Sequence, residues 1–227
     1  MDSSQALSQR FKGKNLSVSL PSLRIDSFSV SLMDELKELR PGGGFTLAPE
    51  AASERMRRTI NKFVTTEQLL STAREIYGHG WQSIKLYFMI GHPLETLEDV
   101  QAIADLCKAV LAEGRKIVGR KAKVNAGVST FVPKAHTPFQ WVACDRMDSI
   151  AEKLALLKNS LRDPGIKLTW SDPDVTRFEA WLARGDRRLS AVIYRAWQNG
   201  TKFDAWQDHF DINAWLQAFK AEGLDPD

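Results

Sequence analysis

Short runs in which apolar and polar residues alternate are separated along this chain by longer stretches with a helical repeat. Leu16–Leu20 (LSVSL) alternates as a strand does, and residues 44–50 (GFTLAPE) form a second short strand. Ser31 can cap a short helix, SLMDELKEL, that stops at Pro41-Gly42-Gly43-Gly44. Ser53 can cap a helix over SERMRRTIN, and Thr65 with Gln68 forms a capping-box pattern ahead of a helix that places Leu69, Leu70, Ala73, Ile76 and Tyr77 on one face. Gly78-His79-Gly80 stops that helix. Ser83–Ile90 (SIKLYFMI) is almost continuously apolar, as a strand covered on both faces would be. Thr96 caps a helix predicted to end at Gly114. A strand over Lys123–Val132, a helix over about Asp148–Leu161 and an apolar run over Ile166–Trp170 follow.

Strands linked by helical crossovers predict an α/β fold with a parallel sheet. Periodicity alone leaves two arrangements open, a doubly wound sheet and an arc of a barrel. After Asp172 the texture becomes all-helical and rich in tryptophan, with Trp181, Trp197, Trp206 and Trp215, and with Asp174, Asp186 and Asp211 as candidate helix caps. The division expected is 1–171 for the α/β part and 172–227 for a helical extension. The tryptophans are read as packing between small helices in preference to a stacking platform for bases.

Composition adds little that conflicts. Of 227 residues 43% are hydrophobic and 26% charged, the balance of a globular protein with a real core. The longest apolar run, Ile84–Ile90, is far short of the roughly 20 residues a membrane-spanning helix needs. The polar start carries no secretory signal pattern, and the two cysteines, Cys107 and Cys144, make no disulfide framework, so a cytoplasmic setting is expected. Net charge is +3, and the basic cluster Arg115–Lys123 reads as a solvated loop in preference to a nucleic-acid contact.

In parallel α/β folds, ligands bind beyond the carboxyl ends of the strands. Those ends carry Pro49 and Glu50; then Gly91, His92, Pro93 and Glu95; then Pro133, Lys134, His136, Thr137 and Pro138. Gly91 and Pro93 suit a rigid platform under a flat ligand. No Ser-His-Asp order, phosphate-cradling glycine loop or metal-spaced histidine pair is present.

The segments LPSLRIDSFS (20–29), FTLAPEAASERMRRTINK (45–62), IKLYFMIGHPLETLEDV (84–100) and VSTFVPKAHTPFQW (128–141) resemble radical S-adenosylmethionine proteins, in particular the group that often carries an N-terminal cobalamin-binding-like domain. The tail, RGDRRLSAVIYRAWQNGTKFDAWQDHFD (184–211), is similar to the C-terminal extension of one branch of that group. The resemblance implies a partial (β/α) TIM-like barrel of about four or five parallel strands followed by a helical tail. It also implies a parent enzyme that uses S-adenosylmethionine and a [4Fe-4S] cluster. By resemblance, Glu50 falls in the ribose or carboxylate region of the S-adenosylmethionine site. Gly91, Pro93 and Glu95 fall on the motif under the adenine, and Val132 and Pro133 flank the adenine with backbone. Cobalamin enters only through a domain outside this sequence.

The sequence departs from that family at the cluster. It contains no CxxxCxxC, and two cysteines cannot replace three clustered thiolates. The chain is therefore expected to be the C-terminal half of such a barrel, to be inactive alone, and to bind S-adenosylmethionine weakly. Its expected partner is the missing N-terminal half, or another chain pairing on the open edge of the Leu16–Leu20 strand. A non-catalytic module that completes a barrel with a second chain, and a basic nucleic-acid-binding module, are the alternatives.

Overall fold

The computed structural model describes residues 44–226 and, before them, Arg10. The predicted strand at Leu16–Leu20 and the helix after Ser31 lie outside the described residues. The described elements are β1 (Phe45–Glu50), α1 (Glu54–Thr59), α2 (Thr66–Gly78), β2 (Ser83–Ile90), α3 (Leu97–Val118), β3 (Lys123–Thr130), α4 (Met147–Ser160), β4 (Ile166–Trp170), α5 (Pro173–Arg184), α6 (Leu189–Gln198) and α7 (Ile212–Ala221). Four strands form one sheet in the order β1-β2-β3-β4. Strand β1 runs parallel to β2, with Phe45 opposite Ile84 and Leu47 opposite Leu86, and β3 runs parallel to β4, with Val124 opposite Ile166. Helical crossovers join successive strands, so the fold is α/β, as the alternating pattern predicted.

The chain divides into two compact units. The first holds the sheet and comprises, within the described part, residues up to Ile90, Leu94–Ser129 and Ala151–Trp170. The second comprises Gly91–Pro93, Thr130–Ile150 and the residues from Ser171 onward. The segments that follow β2 and β3 thus group with the helical extension, a division that differs from a single cut near residue 171.

In the sheet unit, one face is fully buried: Leu47, Ile84, Leu86, Phe88, Ile90, Val124 and Ala126 are at most 1% exposed. The opposite face behaves differently. Lys85, Met89, Asn125 and Ser129 are half-buried and Tyr87 is 37% exposed. The Tyr87 ring lies across Gly127 of β3, where an added Cβ would sit 3.1 Å from it, and the Lys85 ammonium stands 4.4 Å from the ring centroid. The apolar run of β2 therefore reflects one covered face and one partly open face, whereas the sequence suggested two covered faces.

Local capping follows the sequence closely. Thr65 and Gln68 form the capping box of α2, and Thr96 with Asp99 forms a second at α3. Ser53 caps α1 by accepting from the Met56 amide at 3.2 Å. Two boundaries differ. Helix α3 runs through Gly114 to Val118 and ends at Gly119, whose φ is +64°. Gly114 is there for closeness: a Cβ on it would lie 2.6 Å from the Tyr77 ring and 2.9 Å from Ala122. This is where α2 and α3 pack together. Asp172, not Asp174, caps α5, accepting from Asp174 N at 2.8 Å, because Pro173 takes the first helical position. Two residues of the Arg115–Lys123 cluster are taken up in ion pairs. Arg115 forks onto Asp163 at 2.9 and 2.6 Å, and Lys116 pairs with Glu113 at 2.6 Å.

The second unit has its own core of Trp181, Val192, Ala196, Trp215, Ala218 and Phe219, with Phe178, Leu189 and Phe210 packed on it. Trp181 and Trp215 are core, as read from the sequence, while Trp197 and Trp206 are 54% and 68% exposed. Among the described residues no helix is long and apolar enough to cross a membrane.

Candidate functional site

The order and parallel direction of the strands bring the carboxyl ends of β1, β2 and β3 together as neighbours on one edge of the sheet. At the end of β1 the pairing with β2 shifts between Leu47 and Glu50, and Glu50 takes φ +64°, an uncommon conformation for a non-glycine residue. Its carboxylate lies 3.4 Å from the Lys62 ammonium, which also donates to the Ala48 carbonyl. Both partners are about a third exposed, so Glu50 keeps open access to solvent. The loop beyond it is fixed by Arg57, which is fully buried. Its guanidinium donates to the carbonyls of Val64 (2.6 Å), Ala51 (3.2 Å) and Ala52 (2.6 Å) and to the Thr66 hydroxyl (2.8 Å). Burial pulls the Arg57 pKa down, opposed by the Glu54 carboxylate. In the sequence Arg57 looks like one more surface charge on a short helix, and no local signal marks it.

After β2, Leu94 also adopts positive φ, at +66°. The Glu95 side chain is only 3% exposed and forms an ion pair with Lys153 of α4 at 2.7 Å, itself 7% exposed. Glu95 is thus committed to a buried charge pair that anchors this loop to α4. Beside it, Asp99 ties the amino ends of α1 and α3 together. It accepts from the Ser53 hydroxyl at 2.6 Å, from the Thr96 amide at 2.9 Å and from Arg55. Burial alone would raise the Asp99 pKa. Hydrogen bonds from Ser53, Thr96 and Arg55 outweigh that and hold it below the usual value.

The remaining predicted residues belong to the second unit. Gly91 has φ +84°, and the place its Cβ would take lies 2.9 Å from Ile150 Cδ1 and 3.2 Å from Asp145 Cβ. The glycine therefore serves close packing of the chain on itself at that side. His92 is buried and its ring lies 4.5 Å from that of Phe131, which meets Phe139 edge-on at 5.5 Å. Pro93 is half-buried, and Val132 and Pro133 are buried. Lys134 pairs with Glu179, and His136 is exposed, with φ +62°.

Within this unit lies a cavity of ≈ 710 Å³, bounded by Thr130–Val132, by Ala143–Asp148 with Ile150, by one face of α5, and by Leu189, Phe219 and the residues around Leu224. Val132 is the predicted site residue on its wall, and Gly91 packs on Ile150 and Asp145, which line it as well. Cys144 also faces it. Burial raises the Cys144 thiol pKa, and the charges of Arg184 and Lys134 act against that rise. Sequence reading missed Asp145, Arg184 and the other wall residues because they are scattered along the chain with no spacing that joins them.

The residues present do not fit an iron–sulfur cluster. Cys107 is buried in α3, with its thiol pKa pushed up to about 12 by burial, and Cys144 belongs to the other unit. Among the described residues no group of three His, Cys, Asp or Glu side chains is placed to hold a metal ion.

No family model matches the chain. It is similar to an uncharacterized protein of Methanocaldococcus jannaschii, 34% identical over 207 residues, which cover 91% of this chain and 44% of that protein. The chain therefore spans less than half the length of that relative.

Proposed function

We propose that this chain is the later part of a radical S-adenosylmethionine-type barrel, bearing one stretch of the wall around the cofactor and substrate. Other sequence would supply the earlier strands and the [4Fe-4S] loop. The observation that carries this reading is the two-faced sheet. Parallel sheets are ordinarily covered on both sides. Here one face is fully buried, while the other presents Lys85, Tyr87, Asn125 and Ser129 partly open. In a closed barrel such a face would line the interior. The segments around Glu50, Gly91–Glu95 and Val132–Pro133 carry the resemblance to that family, and a relative more than twice as long is in keeping with a partial barrel.

On this reading Glu50 is the carboxylate free enough to meet a ligand, while Glu95 positions its loop from a buried ion pair. The chain alone supplies no cluster ligands and carries out no radical chemistry. Anaerobic reconstitution with iron and sulfide tests this on two proteins, this chain and the full-length M. jannaschii relative. The relative is expected to hold about four irons and this chain none in stoichiometric amount. A stable cluster on this chain, or a full-length relative that takes up no cluster, would overturn the proposal.

A further inference from the structure

The cavity of the second unit has the form of a small-molecule site. Its volume of ≈ 710 Å³ falls inside the range of roughly 300–1,000 Å³ usual for such sites. Phe131, Val132, Trp181, Leu189, Phe219 and Leu224 are the large apolar residues on its wall. Its charged residues are mostly committed to one another. Arg146 forks onto Asp148 at 3.1 and 2.7 Å, and Arg188 holds Asp186 at 3.0 Å. Arg177 lies 5.0 Å from the centre of the Trp181 ring. Arg184 differs: it lines the cavity and makes no ion pair among the described residues. Its charge is felt at the Cys144 thiol on the same wall. Arg184 is solvent-exposed, and a guanidinium without a carboxylate partner on a wall that also carries aromatic side chains suits a ligand with a flat apolar body and one anionic group.

We propose that this cavity binds a small amphipathic anion, its apolar body against Trp181 and Phe219 and its carboxylate or similar group on Arg184. All the residues involved lie in the second unit, so the site stands or falls independently of the barrel reading.

Calorimetric titration of the full chain with two matched probes, 1-naphthaleneacetate and its neutral amide, tests the assignment. The acid is expected to bind at least about tenfold more tightly than the amide. Arg184→Gln should remove that preference by weakening the acid and leaving the amide unchanged. Ala180→Trp, which fills the cavity from α5, should abolish binding of both. If circular dichroism shows that variant unfolded, Leu224→Trp at the cavity rim replaces it. Equal affinity for acid and amide, undiminished acid binding by Arg184→Gln, or no detectable binding of the acid by the unaltered chain would each overturn it.

Discussion

Replacing Glu95 by Gln keeps the shape of the side chain and removes the counter-ion of Lys153. The two charges stand 2.7 Å apart, with side chains 3% and 7% exposed, so neither can turn to water without moving the loop or α4. Removing one partner of such a pair leaves an ammonium with diminished compensation in a low-dielectric setting, and losses of about 3–5 kcal/mol are usual. Replacing both partners with neutral groups of similar volume is often close to neutral. The Glu95→Gln change should therefore destabilise the chain by about 3–5 kcal/mol, and Lys153→Met by a similar amount. The Glu95→Gln/Lys153→Met double variant should recover most of the loss. For a domain of this size, each kcal/mol corresponds to about 2–4 °C in Tm, so the single variants should melt at least ~6 °C below the parent. Urea unfolding of the four proteins gives the coupling energy directly. Single variants within 1 kcal/mol of the parent, or a double variant as unstable as the sum of the singles, would refute the account of a buried pair whose members depend on each other.

Gly114→Ala should lose about 1–3 kcal/mol by overpacking against Tyr77, although alanine favours helix at an open position; a gain in the urea midpoint would show that the α2–α3 contact is loose. Arg57→Met should lose at least ~3 kcal/mol, because three carbonyls and the Thr66 hydroxyl forfeit a charged donor, and Arg57→Lys should not restore it; restoration by lysine would mean charge alone matters there. The Asp99 carboxyl has its pKa depressed in the folded chain, so its contribution is present above its unfolded pKa of about 3.9 and is lost as pH falls through the folded value. Urea midpoints measured from pH 5 down to pH 3 should fall less steeply for Asp99→Asn than for the parent, and parallel slopes would count against the role of Ser53, Thr96 and Arg55 in holding the charged form.

The Thr65–Gln68 capping box and the Thr96 cap were legible because cap and first turn lie within a few residues of one another, and so was the β2 span, bounded on one side by Gly78-His79-Gly80 and on the other by Gly91-His92-Pro93. Gly114 was misleading for a definite reason. A glycine that ends a helix and one that lets two helices touch look alike until the neighbour is known, and here the neighbour is the Tyr77 ring on a different helix. Glu95 posed the same difficulty in electrostatic form. Its partner Lys153 sits in a helix whose pattern gives no sign that one lysine is buried. Its place beside Gly91 and Pro93 suggested a ligand contact, and the ion pair instead makes it a structural carboxylate that holds the loop. The tail divides along the same line: Trp181 and Trp215 pack inward and Trp197 and Trp206 remain exposed, though all four sit in similar local sequence. Gly114 and Glu95 were both misread because the side chain each one meets is distant in sequence. The cavity walls are drawn from Thr130 through Pro226, so the Arg184 site could be found only after the fold had brought those segments together. Glu50 is the converse case. Its position at the end of β1 was readable, and its pairing with Lys62, about a third exposed on both sides, leaves the carboxylate in contact with solvent, as the proposed ligand role requires.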